Sequence, residues 1–245
     1  MRRLLAVVLL AVVIASPQAR AAEQVDLLLV LASDVSRSVD SAKFELQRRG
    51  YAAAIADHRV LEAVQSGPRH RIGVMFLEWS GFTSQHVVID WTIIDGPAAA
   101  QAFAGKLLET PRSFADRTSI SAGIDFAVGQ LKRAPFTSDR RTIDVSGDGT
   151  NNSGRDVHAA RDEAIALGIN INGLVILSEH PLPWNPEHTD PPGGLANYYS
   201  NNVTGGAGSF VMVAKDFDSF GDAIIKKMVA EIAFAAPASD VYLLR

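Results

Sequence analysis

The chain has 245 residues, a formal net charge of −4, 47% hydrophobic residues and no cysteine. Without cysteine it cannot lean on disulfides or carry a lipid on an N-terminal thiol, so it must fold on its apolar core alone. No basic block is present, which argues against nucleic-acid binding, and the mild acidity fits a soluble protein.

The first residues follow the plan of a secretory signal peptide. Arg2 and Arg3 precede an apolar run from Leu4 to Ala15, and Ala19-Arg20-Ala21 offers a small-x-small cleavage pattern. A run of that length is too short to span a bilayer as a helix. Residues 1–21 are therefore expected to be removed on export to the periplasm or beyond. A domain at 22–235 and a loose tail at 236–245 are expected to remain. Without Arg2, Arg3 and Arg20 the same charge count is about −7.

Strand-like and helix-like segments then alternate. Val25 to Ala32 is a continuous run rich in valine and leucine, as in a strand buried on both faces. A helix is expected from Asp40 to about Ala56, and Gly67-Pro68 breaks the chain. "RIGVMFL" (Arg71 to Leu77) reads as a strand, and His86 to Ile93 as an alternating strand antiparallel to it. Helices follow at Pro97 to Leu108 and Ser119 to Leu131. "RTIDV" (Arg141 to Val145) is a strand ending in the turn-rich "SGDGTNNSG". Asp156 to Leu167 is a helix closed by Gly168, and Ile169 to Leu177 a strand. Ser178 to Asn202, rich in proline, glycine and asparagine, reads as an irregular excursion. A short strand at Phe210 to Ala214 and a helix at Phe217 to Ile232 complete the domain. The alternation means an α/β domain with a mostly parallel sheet and one antiparallel edge strand. In such sheets ligands sit outside the carboxyl ends of the strands, where Asp34 and Asp148 are both expected.

In "DVSRS", Asp34, Ser36 and Ser38 alternate, so an extended or turning segment directs three oxygens to one side. A hard divalent cation wants about six oxygens. Thr118 in "DRTSIS" and Asp148 in "SGDGTNN" offer more, with Gly147 and Gly149 allowing a sharp turn.

This ordered set, D-x-S-x-S after the first strand, a threonine before a mid-chain helix and an aspartate in an S-G-D-G turn, resembles the von Willebrand factor A-type domain over Val25 to Ile232. "DVSRSVD", "EWSG", "TSISAGIDFA", "DVSGDG" and "INGL" are also similar to an uncharacterised bacterial family of secreted proteins within that superfamily. The resemblance implies a Rossmann-like, doubly wound sheet with helices on both faces. It also implies a metal-ion-dependent adhesion site made of Asp34, Ser36, Ser38, Thr118 and Asp148. The ion would be magnesium, with manganese or calcium as alternatives. The expected partner is a protein with an exposed Asp or Glu whose carboxylate completes the coordination, and the chain itself is expected to be a monomer.

Other readings attach to the same residues. Ser36, Ser38 and Thr118 also suit helix N-caps, and Asp148, Asn151 and Asn152 suit plain turns. Trp79 is expected to pack in the core or against a loop. Asp144, a carboxylate inside a strand, is costly unless paired; Arg37, Arg141, the metal rim or solvent are the candidates. His180 and His188 lack a nearby third ligand, and Trp184, Tyr198 and Tyr199 in the long loop suit either a partner surface or ordinary packing. A subtilisin-like reading of "RTSISAG", with Ser119 as nucleophile and Asp34 as orienting acid, lacks the His-Gly base motif. The six histidines are followed by Arg, Arg, Val, Ala, Pro and Thr. A metal-assisted hydrolase at the same five residues is the remaining enzymatic alternative, with Asp144 or Glu78 as its base.

Overall fold

The structure, a computed structural model, describes residues 22–177 and 182–233. The expected leader, His180 and the expected tail lie outside the described residues. In chain order the elements are β1 (Glu23–Gln24), β2 (Leu28–Asp34), α1 (Ser41–Ala56), α2 (His58–Ser66), β3 (Ile72–Trp79), β4 (Gln85–Ile94), α3 (Pro97–Glu109) and α4 (Ile120–Lys132). There follow β5 (Phe136–Thr137), β6 (Arg141–Gly147), α5 (Val157–Ala166), β7 (Asn170–Ile176), α6 (Pro186–Thr189), α7 (Leu195–Asn202), β8 (Val211–Ala214) and α8 (Phe220–Ile232).

Six strands form one sheet in the order β4-β3-β2-β6-β7-β8. Every neighbouring pair is parallel except β3 with β4. The fold is thus the doubly wound α/β architecture expected, with its antiparallel strand at the edge. The alternation of β2 builds both layers. Leu27, Leu29 and Leu31 belong to a core shared with α1, α3 and α8, while Leu28, Val30 and Ala32 pack in a second core with α4, α5 and α7. Strand order reverses between β2, which continues outward to β3, and β6, which continues to β7. The carboxyl ends of β2 and β6 therefore flank the crevice where such sheets bind ligands.

Two elements differ from expectation. The segment between Ala56 and Gly67-Pro68, for which no element was expected, holds α2. It breaks sharply at Asp57, whose extended backbone ends α1 and whose side chain accepts from Arg59 N–H at 2.9 Å to start α2. Val60, Ala63 and Val64 make the buried stripe of α2. The long excursion is not wholly irregular either, since it contains α6 and α7.

Asp144 does not reach Arg37, Arg141, the rim or solvent. It is in register with Leu31, so it faces the α1 and α8 layer, and it is fully buried there. Lys227 of α8, equally buried, places Nζ 2.8 Å from Asp144 Oδ1 and also pairs with Glu231 one turn on. Asn172, opposite Asp144 on β7, donates to Glu231 at 2.9 Å. Two acids thus share one ammonium. Burial, then the Asp144 charge, push Glu231 up to about 7, and burial also raises Asp144 despite the opposing Lys227 charge. Lys227→Met should cost about 3–5 kcal/mol in urea unfolding at pH 7, because it strands buried charge. The defect should shrink on acidification, as the two carboxyl groups take up protons. Glu231→Gln should cost far less.

Candidate functional site

The local chemistry at the end of β2 places the first three candidate residues. Ser36 N–H donates to Asp34 Oδ1 at 2.6 Å, which turns the chain back over the strand end. Val39 N–H donates to the Ser36 carbonyl at 3.0 Å. Arg112 holds the turn from outside, its Nη2 lying 2.5 Å from the Val35 carbonyl oxygen and 2.8 Å from that of Ser36. The N-cap of α1 is Asp40, which accepts from Lys43 N–H at 2.9 Å. The hydroxyls of Ser36 and Ser38 therefore do not cap the helix. They lie 3.1 Å from each other, and Ser38 donates to Asp148 Oδ1 at 2.5 Å.

Thr118 is likewise free of capping, because Ser119 is the N-cap of α4. Asn152 holds Thr118 at both ends of its peptide unit: the Thr118 N–H donates to Asn152 Oδ1 at 3.0 Å, and Asn152 N–H donates to the Thr118 carbonyl at 2.9 Å. Asn151 Oδ1 accepts from Ser121 N–H at 3.1 Å, so both asparagines fasten the Asp148 loop to the start of α4 rather than merely completing a turn. Asp34, Ser36, Ser38 and Asp148 are joined by these contacts and by the mutual repulsion of the two acids. Thr118 meets Ser38 across one cleft of about 330 Å³, which is also lined by Trp184 and His188.

Asp34 and Asp148 are both fully buried. Burial, and then the Asp148 charge, push the Asp34 carboxyl up to about 8; burial also raises Asp148, against the Ser38 hydrogen bond and the Lys43 charge. Among the described residues, Asp34 Oδ2 and Asp148 Oδ2 have no hydrogen-bond partner, and neither does the buried Tyr199 hydroxyl. The Tyr199 hydroxyl and Asp34 Oδ2 crowd the Cα of Gly147: a Cβ there would lie 2.5 and 3.1 Å from them. Buried, unpaired carboxylate oxygens are costly, and a cation is the species that would offset them. No group of three or more His, Cys, Asp or Glu side chains is gathered for a metal among the described residues. A cation here would therefore rest on the hydroxyls as well as the two acids, as the donor set read from the sequence requires.

Two residues of the long excursion reach this rim, which sequence reasoning missed. Tyr199, on α7, is core rather than partner surface, whereas Trp184 is 79% exposed. His188, on α6, is nearly buried, with Nε2 3.2 Å from Thr118 Oγ1 and Nδ1 3.2 Å from Thr150 Oγ1. Burial lowers its pKa and favours the neutral ring. The only signal was a pair of histidines, His180 and His188, in a proline-rich loop. Trp79 packs in the core as expected, its Nε1 donating to the Ala32 carbonyl at 3.0 Å.

The comparisons with known proteins bear on the fold and the family. A family model described as "Protein of unknown function (DUF1194)" matches residues 24–236. No curated protein matches. Among solved structures, the chain is similar to proximal thread matrix protein 1 from the mussel byssus, at a TM-score of 0.57 and 13% identity, covering 85% of this chain and 46% of that one. A second structure of that protein, described as having a zinc-occupied MIDAS motif (the metal-ion-dependent adhesion site), gives a TM-score of 0.55 at the same identity and coverage. The pilus adhesin SpaC from Lactobacillus rhamnosus GG follows at 0.56 and 14% identity, covering 87% of this chain and 31% of that one. A von Willebrand factor type A protein from Catenulispora acidiphila gives 0.51 and 15%, with coverages of 85% and 43%. The chain spans less than half of each of these, and the likeness is one of fold.

Asp34→Asn tests the electrostatics directly. The folded pKa of Asp34 lies above its unfolded value, so the stability this group contributes is fully present below pH ~4 and is lost as pH rises towards 8. In chelator, the Asn variant should melt above the parent at pH 8, and the gap should close towards pH 4. About 1 kcal/mol corresponds to ~2–4 °C for a domain of this size.

Proposed function

Since the chain belongs to the family described as a protein of unknown function (DUF1194), its function must be read from the site, and we propose a metal-dependent protein-binding module of the von Willebrand A type. One observation carries the reading. Two buried carboxylates, each with an unpartnered oxygen, stand among serine hydroxyls at the carboxyl ends of β2 and β6, next to a cleft lined by Ser38 and Thr118. Asp34, Ser36, Ser38, Thr118 and Asp148 would hold one divalent cation. These oxygens suit magnesium, and manganese or calcium would also be accommodated. The bound cation supplies a Lewis-acidic position for a partner's Asp or Glu carboxylate.

The residues of this chain do the rest. Asn151 and Asn152 keep the Asp148 loop against Thr118, Arg112 fixes the "DVSRS" turn, and the exposed Trp184 borders the approach to the cleft. Aromatic residues at such a rim are common anchors of protein interfaces. The fold is shared with a thread matrix protein of the mussel byssus and with a pilus adhesin, which supports the reading by fold alone. We further propose export to the cell envelope, from the basic-apolar leader, and action as a monomer. Among the described residues no helix is long and apolar enough to cross a membrane.

The hydrolase alternative needs a base at the rim. Glu78 is occupied by Arg48 at 2.5 Å and by Ser113 N–H at 2.9 Å, and Asp144 lies under α8 with Lys227. Neither is placed to serve.

Asp34→Ala and Asp148→Ala should each abolish cation binding in calorimetry while leaving the circular dichroism spectrum of a folded α/β domain. A parent chain indifferent to magnesium, manganese and calcium would sink the reading. In a pull-down from an envelope fraction, one protein should be captured in the presence of cation and released by chelator.

A further inference from the structure

Resting on the metal-site reading above, we propose that His188 is a nitrogen ligand of the same cation, so that the centre is a mixed oxygen–nitrogen site selective for zinc-like ions over magnesium. The spacing of the donors is the first argument. Adjacent ligands of an octahedral ion with bonds of about 2.1 Å lie about 3.0 Å apart. Ser36 Oγ and Ser38 Oγ are 3.1 Å apart, and His188 Nε2 is 3.2 Å from Thr118 Oγ1. The imidazole nitrogen therefore stands beside a candidate oxygen ligand at the separation that two neighbouring ligands of one ion would have.

The second argument is how the ring is held. Thr150 N–H donates to the His188 carbonyl at 2.9 Å, and His188 N–H donates to the Asn185 carbonyl at 3.2 Å. The far nitrogen, Nδ1, lies 3.2 Å from Thr150 Oγ1, a hydroxyl able to accept its proton and so leave Nε2 free to ligate, in competition with the Asn152 amide, a donor 3.4 Å away that favours the opposite tautomer. An acceptor on the far N–H is what fixes the orientation and tautomer of a ligating histidine. Gly149 makes the approach possible: a Cβ on it would fall 2.3 Å from His188 Nε2, a distance real Cβ atoms do not show. The third argument is independent of the histidine. The unpartnered, fully buried Asp34 Oδ2 and Asp148 Oδ2 mark this rim as a place where a positive charge is missing.

The consequence is chemical. Five oxygens alone suit a hard ion, whereas imidazole raises affinity for zinc and cobalt far more than for magnesium. Ligation would also tie α6 to the rim. The competing role for His188 is packing, in which it only closes the cleft through its contact with Thr118.

The test uses the whole folded chain, stripped with chelator and titrated with Zn²⁺, Co²⁺ or Mg²⁺ alone, comparing the parent with His188→Gln and Asp148→Ala. The proposal expects the parent to bind zinc more tightly than magnesium. It also expects His188→Gln to lose about tenfold or more in zinc and cobalt affinity, with magnesium binding changed by no more than about twofold. It further expects the His188 Nε2 resonance of ¹⁵N-histidine-labelled parent to shift on adding zinc. Parent-like zinc affinity in His188→Gln, with binding lost in Asp148→Ala, would overturn the histidine ligand and leave the oxygen site standing. No binding of any ion by the parent would overturn both. If His188→Gln fails to fold, the labelled parent decides: an Nε2 resonance indifferent to zinc refutes the proposal.

Discussion

The arrangement at the rim turns on one electrostatic constraint, the burial of Asp34 and Asp148 side by side. Each is fully removed from solvent, each keeps one oxygen without a partner, and each is pushed towards its protonated form. Placing two such groups at a strand end is unfavourable in itself. Much of the surrounding loop structure holds that arrangement in place: the Arg112 clamp on the "DVSRS" turn, the two-point grip of Asn152 on Thr118, and the Ser38 hydrogen bond to Asp148. These contacts fix positions without neutralising the acids, and that uncompensated charge is what the proposed cation would offset.

The fold explains why these residues meet although they are far apart in sequence. A parallel sheet puts the carboxyl ends of its strands on one edge, and the order of strands reverses between β2 and β6. Asp34 ends β2 and Asp148 follows β6, so their loops face each other over the gap. Thr118, at the entry to α4, joins them because Ser119 N–H donates to the Ser80 carbonyl at 2.7 Å at the end of β3. The donor set is thus a product of topology: three loops at adjoining strand ends, each supplying one or more oxygens.

What could be read from the sequence follows the range of the interactions involved. The buried strands and the antiparallel edge depend on local pattern and on the order of elements, and these were legible; the candidate five were picked out by the same pattern and order, and their role is the proposal made above. The start of α2 was legible too, in the capping Asp57 and the spacing of Val60, Ala63 and Val64, but the strong break at Gly67-Pro68 drew the boundary too coarsely. His188 and Tyr199 were not legible, because their position depends on how a proline-rich excursion folds back over the sheet. No periodicity encodes that. The partner of Asp144 was hidden for a related reason: Lys227 is remote in sequence, and a lysine in a largely apolar helix reads first as a solvated residue. The pairing becomes visible only when the register of β6 turns Asp144 towards α8.

Strand β6 and its end carry two buried aspartates, and the comparison between them separates structure from function. Asp144 lies on the α8 face, where its oxygens also lack hydrogen-bond partners but Lys227 supplies a full positive charge, shared with Glu231, to which Asn172 donates. Asp148 lies just past the strand end, close to Asp34, where Lys43 acts only through space while its ammonium donates to the Ser38 carbonyl at 3.1 Å. Burial is equal at the two sites, so depth alone does not distinguish them. The difference is whether the chain provides the compensating charge itself. At Asp144 it does, and the network ties α8 to the sheet. At Asp148 it does not, and the missing charge lies beside an open cleft through which it would have to arrive. On the proposed reading, an ammonium in that place would occupy the position of the exchangeable cation.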